Sequence, residues 1–427
     1  MTTLSSAPST TTAPATRGSQ ARAMLPVIVA WLFVIFDGYD LIVYGTVQKA
    51  LRAEWGLSPA TAGTIGSLAF LGMMIGALVA GRLSDAIGRR NAIIGSAVVL
   101  SIFTALCAVA PNPWAFGALR LLAGLGLGGL VPTANALAAD LIPRRWRAAV
   151  ATLMMSGVPL GGSAAALLGM AVIPQWGWRP MFGLALVALV ILVPVALWVF
   201  PHDAPAKKAP HEHTETASGF QALLRPPYLT ISVLFAVATV VTLMAWYGLG
   251  TWLPNLLQDS GYNLGMALML TLSLNLGAIA GSVLTAWAGD RFGTVPTGVA
   301  AAALAGVALL FLLTQPPVAG VYVILVLAGV GTHGTQCLII AAIATYFPDH
   351  LRGTALGWGL GVGRIGAVLA PQVGGWLLAA GLGVGSNYLL FGGCAIISSL
   401  MLVAIWKFFG VTHDEDRSAR EATLAAH

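Results

Sequence analysis

Residues 81–90 read Gly-Arg-Leu-Ser-Asp-Ala-Ile-Gly-Arg-Arg, and a shorter copy of this stretch, Ala-Gly-Asp-Arg-Phe-Gly, occupies residues 288–293. The aspartates of the two copies are 205 residues apart. A second pair of motifs, Ile-Pro-Arg-Arg-Trp-Arg at 142–147 and Phe-Pro-Asp-His-Leu-Arg at 347–352, has the same separation of 205 residues. Two motif pairs at one offset predict a chain that consists of two similar halves.

The composition places the chain in a membrane. Of its 427 residues, 58% are hydrophobic and 8% are charged, whereas a soluble globular protein carries about 25% charged residues. The charges fall between apolar runs of about 18–25 residues, the length at which a helix spans a bilayer. These runs predict twelve helices. Their predicted ranges are 25–45, 61–82, 92–110, 114–138, 148–172, 181–200, 229–253, 263–287, 297–315, 318–345, 354–380 and 386–409.

The distribution of positive charge predicts the orientation in the membrane. With both termini in the cytoplasm, sixteen of the 21 Lys and Arg residues lie in cytoplasmic segments and three lie on the opposite side. This asymmetry follows the positive-inside rule, so the net charge of +6 reflects topology and not a nucleic-acid partner. The predicted fold class is an all-α membrane protein with twelve transmembrane helices in two six-helix bundles and both termini cytoplasmic. In membrane proteins built from two parallel repeats, substrate binds between the halves near the membrane midplane. A substrate site is therefore expected at that position in this chain.

The predicted organisation has five parts. Residues 1–23 form a cytoplasmic tail rich in Ser, Thr, Ala and Pro, which is expected to be disordered. Residues 24–200 form the N-terminal six-helix bundle and 229–409 the C-terminal one. A polar, proline-rich cytoplasmic linker, 201–228, joins them, and 410–427 form a second cytoplasmic tail.

Metal, disulfide and cofactor sites are not predicted. His211 and His213 lie in the linker without convergent ligands. The three cysteines, Cys107, Cys337 and Cys394, lie in apolar stretches at unrelated spacings.

Two aspartates, Asp37 and Asp40, lie inside the first apolar run. An ionised carboxylate in hydrocarbon costs several kcal/mol, so such residues survive mainly where they face a water-filled cavity and carry protons, ions or substrate. Asp37 is about 12 residues, or about 18 Å, into its predicted helix, near the middle of the membrane. Three residues apart, the two acids are expected to share one helix face and to titrate as a unit. They are the candidate proton-coupling site, and the alternative is a structural hydrogen-bonded pair.

The spacing Gly-x-Leu-x-Asp-x-x-Gly-Arg-Arg at 81–90 closely resembles the signature loop between helices 2 and 3 of the major facilitator superfamily. The aspartate can meet donors at a helix end, and the arginines can pair with acids on the facing half. Such a clasp would favour the outward-open state; the alternative is that these arginines only set the orientation. The residues predicted for gating are Gly81, Asp85, Gly88, Arg89, Arg90, Arg120, Arg147, Asp290, Arg291 and Arg352.

Three stretches resemble one subgroup of that superfamily, the aromatic acid:proton symporters. They are Asp-Gly-Tyr-Asp at 37–40, the glycine-rich run at 124–135, and Gly-Trp-Gly-Leu-Gly-Val-Gly-Arg-Ile-Gly at 357–366. Asp140 departs mildly from the pattern, because glutamate is expected there. The resemblance implies proton-driven uptake of 4-hydroxybenzoate-, benzoate- or gentisate-type acids across the bacterial inner membrane. The implied partners are a small aromatic carboxylate, H+ and the lipid bilayer, and the expected state is a monomer.

Two arginines lie inside predicted spans. Arg364 is about ten residues, or about 15 Å, into its helix, and its guanidinium fork matches a carboxylate in two parallel hydrogen bonds. It is the candidate for the substrate carboxylate, and the rival interpretation is a permanent salt bridge to Asp37 or Asp40. At the 205-residue offset its counterpart is Pro159, so this charge belongs to one half only. Arg120 is about six residues into its helix, so it is expected to reach outward in a structural or gating role.

An aromatic substrate also needs apolar walls with a few oriented polar groups. The aromatic candidates are Tyr39, Tyr44, Trp246, Tyr247 and Trp358, although each could instead serve in packing or as an interfacial anchor. The polar candidates for a ring hydroxyl are Asn135, Asn275, His333 and Gln336, with hydrogen bonding between helices as the alternative. His333 could also take part in proton transfer.

Three other classes of function compete with uptake. No nucleophile–base set, metal spacing or phosphate loop indicates an enzyme. A structural or receptor membrane protein has no need for paired acids, a lone midplane arginine and tandem halves. A proton-coupled exporter or a carrier of another small organic anion is the main alternative. Exporters of the superfamily have a Gly-x-x-x-Gly-Pro-x-x-Gly-Gly pattern in the fifth helix. Residues 157–162 of this chain read Gly-Val-Pro-Leu-Gly-Gly, so the Gly-Pro order is broken and the exporter interpretation is weakened.

Overall fold

The computed structural model describes residues 17–143, 146–202 and 220–409. Within those residues, twelve helices are long and apolar enough to cross a membrane. They are α1 (Arg17–Trp55), α2 (Pro59–Ile87), α3 (Arg89–Cys107), α4 (Pro113–Leu141), α5 (Arg147–Trp176), α6 (Arg179–Val199), α7 (Leu229–Asp259), α8 (Leu264–Phe292), α9 (Thr294–Phe311), α10 (Val318–Tyr346), α11 (Asp349–Ala379) and α12 (Gly383–Phe409). The predicted number of helices is confirmed, and most of them are longer than the apolar runs that predicted them.

Several predicted segments meet the edges of the described residues. α1 begins at Arg17, inside the predicted tail 1–23. Residues 1–16, 203–219 and 410–427, and with them His211 and His213, lie outside the described residues.

The 205-residue repeat reappears in the helix bounds. α2 and α8 begin 205 residues apart and end 205 residues apart, as do α4 and α10. The caps repeat as well. Ser58 at the start of α2 accepts a hydrogen bond from the backbone of the third helical residue at 3.1 Å, and Asn263 does the same at the start of α8 at 2.8 Å. Each of these caps satisfies a backbone N–H that has no partner within the helix.

The signature loop and its copy each contain a glycine with positive φ at the end of a helix. α2 ends at Gly88 with φ 85°, and α8 ends at Gly293 with φ 94°. Both values lie in the region that glycine adopts without strain, so each glycine allows the chain to turn directly into the next helix. This explains why glycine occurs at the same point of both copies.

Close packing of glycine joins the helices within each half. A side chain at Gly72 would collide with the Leu121 carbonyl of α4, and one at Gly277 would collide with the Val326 carbonyl of α10. These are equivalent positions of the two halves. Small residues allow membrane helices to approach at backbone distance.

The two halves are packed closely together at one end of the molecule. We call this the far side, where α1 and α7 end, and the opposite end the termini side, where α1 begins and α12 ends. On the far side Gly45 packs against the Gly250 carbonyl, and Lys49 forms an ion pair with Asp259 at 2.9 Å. The Ser67 hydroxyl donates to the Val368 carbonyl at 2.7 Å. The halves are therefore closed together on the far side.

On the termini side the halves are separated by a vestibule. It has a volume of about 580 Å³ and lies between α4 and α5 of one half and α8, α10 and α11 of the other. Arg147, Asp290 and Cys337 line it. The molecule is thus open toward the side that the charge distribution predicts to be cytoplasmic.

Candidate functional site

A central cavity of about 170 Å³ lies between the two halves, deeper than the vestibule. It is lined by α1, α2, α4 and α5 of the first half and by α7, α10 and α11 of the second. Met154, Met155 and Leu360 line both spaces, so the cavity continues into the vestibule. Seven of the residues predicted from sequence line this cavity: Asp37, Asn135, Trp246, Tyr247, His333, Gln336 and Arg364.

Asp37 of the first half and Arg364 of the second half both line the central cavity. Asp37 is 2% exposed, and its Oδ1 atom has no hydrogen-bond partner in the described structure. Arg364 lines the same cavity from the second half, but it forms no salt bridge with any described residue. The rival interpretation of Arg364, a permanent salt bridge to Asp37 or Asp40, is therefore not found among the described residues. A carboxyl group and a guanidinium that share a cavity without pairing remain available to a ligand.

Asp40 lies in different surroundings. Its Oδ2 atom accepts a hydrogen bond from Arg120 at 2.6 Å, and its Oδ1 atom accepts one from Thr104 at 2.6 Å. Arg120 also donates to the Asp40 backbone carbonyl at 3.1 Å. These partners belong to α3 and α4, so the carboxylate is enclosed within the first half.

The expectation that both acids face a water-filled cavity is wrong for Asp40. Three residues correspond to a rotation of about 60° around a helix. α1 packs with one side toward the cavity and the adjacent side toward α3 and α4, so this rotation carries Asp40 out of the cavity. Asp37 alone of the pair lines the space between the halves.

The expectation that Arg120 reaches outward is also wrong. Its side chain is 2% exposed, and its guanidinium lies 5.9 Å from the ring centroid of Phe182. Asp40 supplies a fully buried counter-charge within hydrogen-bonding distance, so the arginine does not need to reach water. Arg120 is instead half of a buried ion pair.

His333 connects the two halves at the cavity wall. Its Nε2 atom lies 3.2 Å from the backbone carbonyl of Met155, which belongs to α5 of the other half. The Trp246 ring packs on the imidazole, with 5.0 Å between centroids. The neighbouring Tyr247 packs on Phe70, with 4.9 Å between centroids. Histidine and aromatic rings thus form one part of the cavity wall.

Four other candidates for the substrate site lie outside the cavity lining. The hydroxyls of Tyr39 and Tyr44 donate to the Met181 and Ala62 carbonyls, each at 2.6 Å. The Trp358 indole donates to a carbonyl of α7 at 3.2 Å. The Asn275 amide donates to the Thr271 carbonyl of its own helix at 3.0 Å. The structure does not bring these four residues together with Asp37 and Arg364. The hydroxyls of the two tyrosines and the Trp358 indole bond between helices, and the Asn275 amide bonds along its own helix.

Comparison with known proteins decides the family. The sequence profile of the Major Facilitator Superfamily matches residues 30–281 and 236–425. The chain belongs to this superfamily. It is 61% identical to the gentisate transporter of Corynebacterium glutamicum, over 93% of this chain and 91% of that protein. It is 33% identical to the benzoate transport protein of Acinetobacter baylyi, over 85% of each.

The fold of the superfamily is also found by structural comparison. The crystal structure of a D-xylose-proton symporter matches with a TM-score of 0.75 at 17% identity, over 90% of this chain and 97% of that one. The predictions of an aromatic acid transporter family, of a transporter and not an enzyme, and of a multi-pass protein of the bacterial inner membrane are confirmed by these relatives.

The signature loop of this superfamily member pairs within its own half in the present conformation. Arg89 forms an ion pair with Asp140 and donates to the Ala136 carbonyl at 2.9 Å. Arg90 donates to the Leu197 carbonyl at 2.5 Å. The expected pairing of Arg89 with an acid of the facing half does not occur here, because the halves are apart on this side.

The remaining gating candidates lie at the same end of the molecule. Arg147 and Asp290 line the vestibule from opposite halves, and Asp85 and Gly81 are exposed. Arg291 lies 5.8 Å from the ring centroid of Phe292, and Arg352 is exposed near the start of α11. These positions are compatible with contact between the halves when the vestibule closes.

Sequence reasoning missed two partners in the site. Thr104 binds Asp40, but a threonine within an apolar helix is too common to be a signal. Met155 meets His333 through its backbone carbonyl, which no residue type reveals. The aspartates can be found from sequence because charged residues are rare in a transmembrane span. Threonine side chains and backbone carbonyls are common there, so they do not mark a site.

Proposed function

We propose that this protein imports aromatic carboxylates of the hydroxybenzoate type together with protons, by alternating access of the central cavity. The observation that carries the proposal is the unpaired acid and arginine, Asp37 and Arg364, in one cavity between two repeated halves. The similarity to gentisate and benzoate transporters supports the choice of substrate class. With the termini in the cytoplasm, the present conformation faces inward.

Arg364 is the residue proposed to bind the substrate carboxylate. An aromatic acid is ionised at neutral pH, and a guanidinium fork pairs with a carboxylate through two parallel hydrogen bonds. Trp246 and Tyr247 line the same cavity and supply flat surfaces for the ring. Apolar walls with a few polar groups are typical of a site for such a ligand.

Asp37 is the residue proposed to carry the proton, since it lines the cavity and Asp40 does not. When Asp37 is ionised, its charge and that of Arg364 offset each other in the empty cavity. When Asp37 is protonated, Arg364 is left with an uncompensated positive charge, which favours a carboxylate ligand. Protonation and substrate binding are thereby linked.

Charge balance then gives a stoichiometry. The empty cavity with ionised Asp37 is neutral, and so is the loaded cavity with protonated Asp37, Arg364 and one substrate anion. A cavity that holds only the proton, or only the substrate anion, carries net charge. Enclosing a net charge away from water costs several kcal/mol, so the two neutral forms cross most readily. One proton is therefore expected to accompany each carboxylate.

Asp40 and Arg120 are proposed to hold α1 against α4 as a closed pair. Both side chains are almost completely buried and hydrogen-bonded. Removal of one member of such a pair leaves an uncompensated buried charge. The pair fixes the rotation of α1 and so directs Asp37 into the cavity.

Uptake of radiolabelled 2,5-dihydroxybenzoate and benzoate into proteoliposomes tests the proposal. A pH gradient, alkaline inside, should drive accumulation, and a membrane potential alone should not, because one proton with one anion moves no net charge. Protein-free liposomes measure diffusion of the uncharged acid and are subtracted. Accumulation driven by potential alone would refute the charge balance, and an absence of protein-dependent uptake of both acids would refute the function.

A further inference from the structure

The contact between His333 and Met155 determines which ring nitrogen carries a proton. The Nε2 atom of His333 lies 3.2 Å from a backbone carbonyl, and a carbonyl can only accept a hydrogen bond. Nε2 therefore bears the hydrogen. In a neutral imidazole, which is the form that an apolar span favours, the other nitrogen then holds a lone pair and is an acceptor.

That acceptor has no protein partner. The Nδ1 atom of His333 is buried and forms no hydrogen bond with the described residues. The Oδ1 atom of Asn135 is in the same condition. Both residues line the central cavity, one from α10 and the other from α4. Buried polar atoms in native proteins are almost always paired. Together with Asp37 Oδ1, which lines the same cavity without a partner among the described residues, these unpaired acceptors indicate that a ligand supplies donors.

The chemistry of the missing ligand follows from the kind of atom. An ionised carboxylate is itself a hydrogen-bond acceptor. The acceptor atoms of His333 and Asn135 therefore cannot bind the substrate carboxylate, which Arg364 is proposed to hold. A phenolic hydroxyl is a donor, and it lies on the rigid ring at a distance from the carboxylate. Trp246 packs on the His333 imidazole, which holds the acceptor in place beside an aromatic surface.

We infer that His333 and Asn135 accept hydrogen bonds from ring hydroxyls of the substrate, so that the cavity selects hydroxylated benzoates over benzoate itself. This inference rests on the proposed function and adds the substrate feature that the site recognises. A site that is built to bond a substrate hydroxyl discriminates against the analogue that lacks it, because the acceptors are then left unpaired.

Competition binding to the full-length protein in nanodiscs tests the inference. Labelled 2,5-dihydroxybenzoate is displaced by unlabelled benzoate, by 3-hydroxybenzoate and by the dihydroxy acid itself. The wild type is expected to bind the better of the hydroxylated acids at least about tenfold more tightly than benzoate, the size of one buried hydrogen bond. His333→Leu should reduce that ratio to about threefold or less by weakening only the hydroxylated acids.

Two further variants separate recognition from packing. Asn135→Leu removes the second acceptor from the other half and leaves the Met155 contact intact, so it should lower the same ratio. His333→Asn places a carbonyl oxygen near the position of Nδ1 and should retain most of the preference. Tyr322→Phe, which removes a hydroxyl from α10 that contacts Met266 and not the cavity, is the matched control and should bind as the wild type does.

The outcomes distinguish the inference from the proposed function. Equal binding of benzoate and hydroxylated acids by the wild type would overturn the inference alone. So would variants at both His333 and Asn135 that weaken benzoate as much as its hydroxylated derivatives. If no aromatic acid displaces the label or binds at all, the proposed function fails and the inference fails with it.

Discussion

Asp37 and Asp40 lie within one turn of α1, each with an arginine in its surroundings, and they differ in how that arginine is placed. Arg120 meets Asp40 at 2.6 Å within the first half, and Thr104 satisfies its second oxygen. Arg364 reaches the cavity of Asp37 from the second half without closing a salt bridge. The satisfied pair lies inside one half, whereas the unpaired acid and arginine belong to different halves. Under the proposed function, a buried charge therefore serves stability when its partner belongs to the same half, and transport when it does not.

The largest effect is expected from Asp37→Asn, which mimics the protonated acid permanently. Accumulation driven by the pH gradient should be lost, because the empty cavity keeps the charge of Arg364 and returns poorly. Exchange of labelled for unlabelled acid across proteoliposomes should persist, because the loaded cavity is still neutral. Uphill accumulation by this variant would show that the proton is carried elsewhere.

The second prediction concerns stability. Asp40→Asn should lower the free energy of unfolding by about 3–5 kcal/mol, because Arg120 is left buried without a counter-charge. Thermal unfolding in detergent measures the loss, and the double variant Asp40→Asn/Arg120→Leu should recover part of it. Asp37→Asn should unfold close to the wild type, since its carboxylate forms no salt bridge with the described residues.

A surface pair provides the control for that measurement. Lys49 and Asp259 are partly exposed, and such pairs contribute about 0–1 kcal/mol. Asp259→Asn should therefore shift the unfolding temperature much less than Asp40→Asn. Equal losses from Asp37→Asn and Asp40→Asn would remove the distinction between the two acids.

A smaller effect is expected from Arg364→Lys. The charge remains, so proton coupling should survive, but an ammonium lacks the planar fork that meets both carboxylate oxygens. The KM for aromatic acids should rise about tenfold, with little change in unfolding temperature. Initial rates of uptake at a series of acid concentrations measure this change, and an unaltered KM would exclude Arg364 as the carboxylate partner.

Much of the site could be predicted from residue type and depth in a span. The sequence alone indicates Asp37 and Arg364, because a charge near the middle of an apolar run is costly and is retained mainly for a function. Arg120 shows the limit of that reasoning. Its position near the end of a span suggested that it reaches water, but its partner comes from α1, which is 80 residues earlier in the chain. A contact between residues so far apart in sequence could not be predicted from the sequence around Arg120.

The sequence by itself determined the membrane class, the number of spans, the repeat and the presence of buried charge, because hydrophobicity and a fixed offset are properties of the chain. Only the tertiary structure decided which charges pair. The helix period places Asp37 and Asp40 about 60° apart, and the rotation of α1 between the cavity and α3 and α4 turns one acid toward the cavity and the other toward Arg120. That rotation is set by packing against other helices, and no local pattern along α1 encodes it.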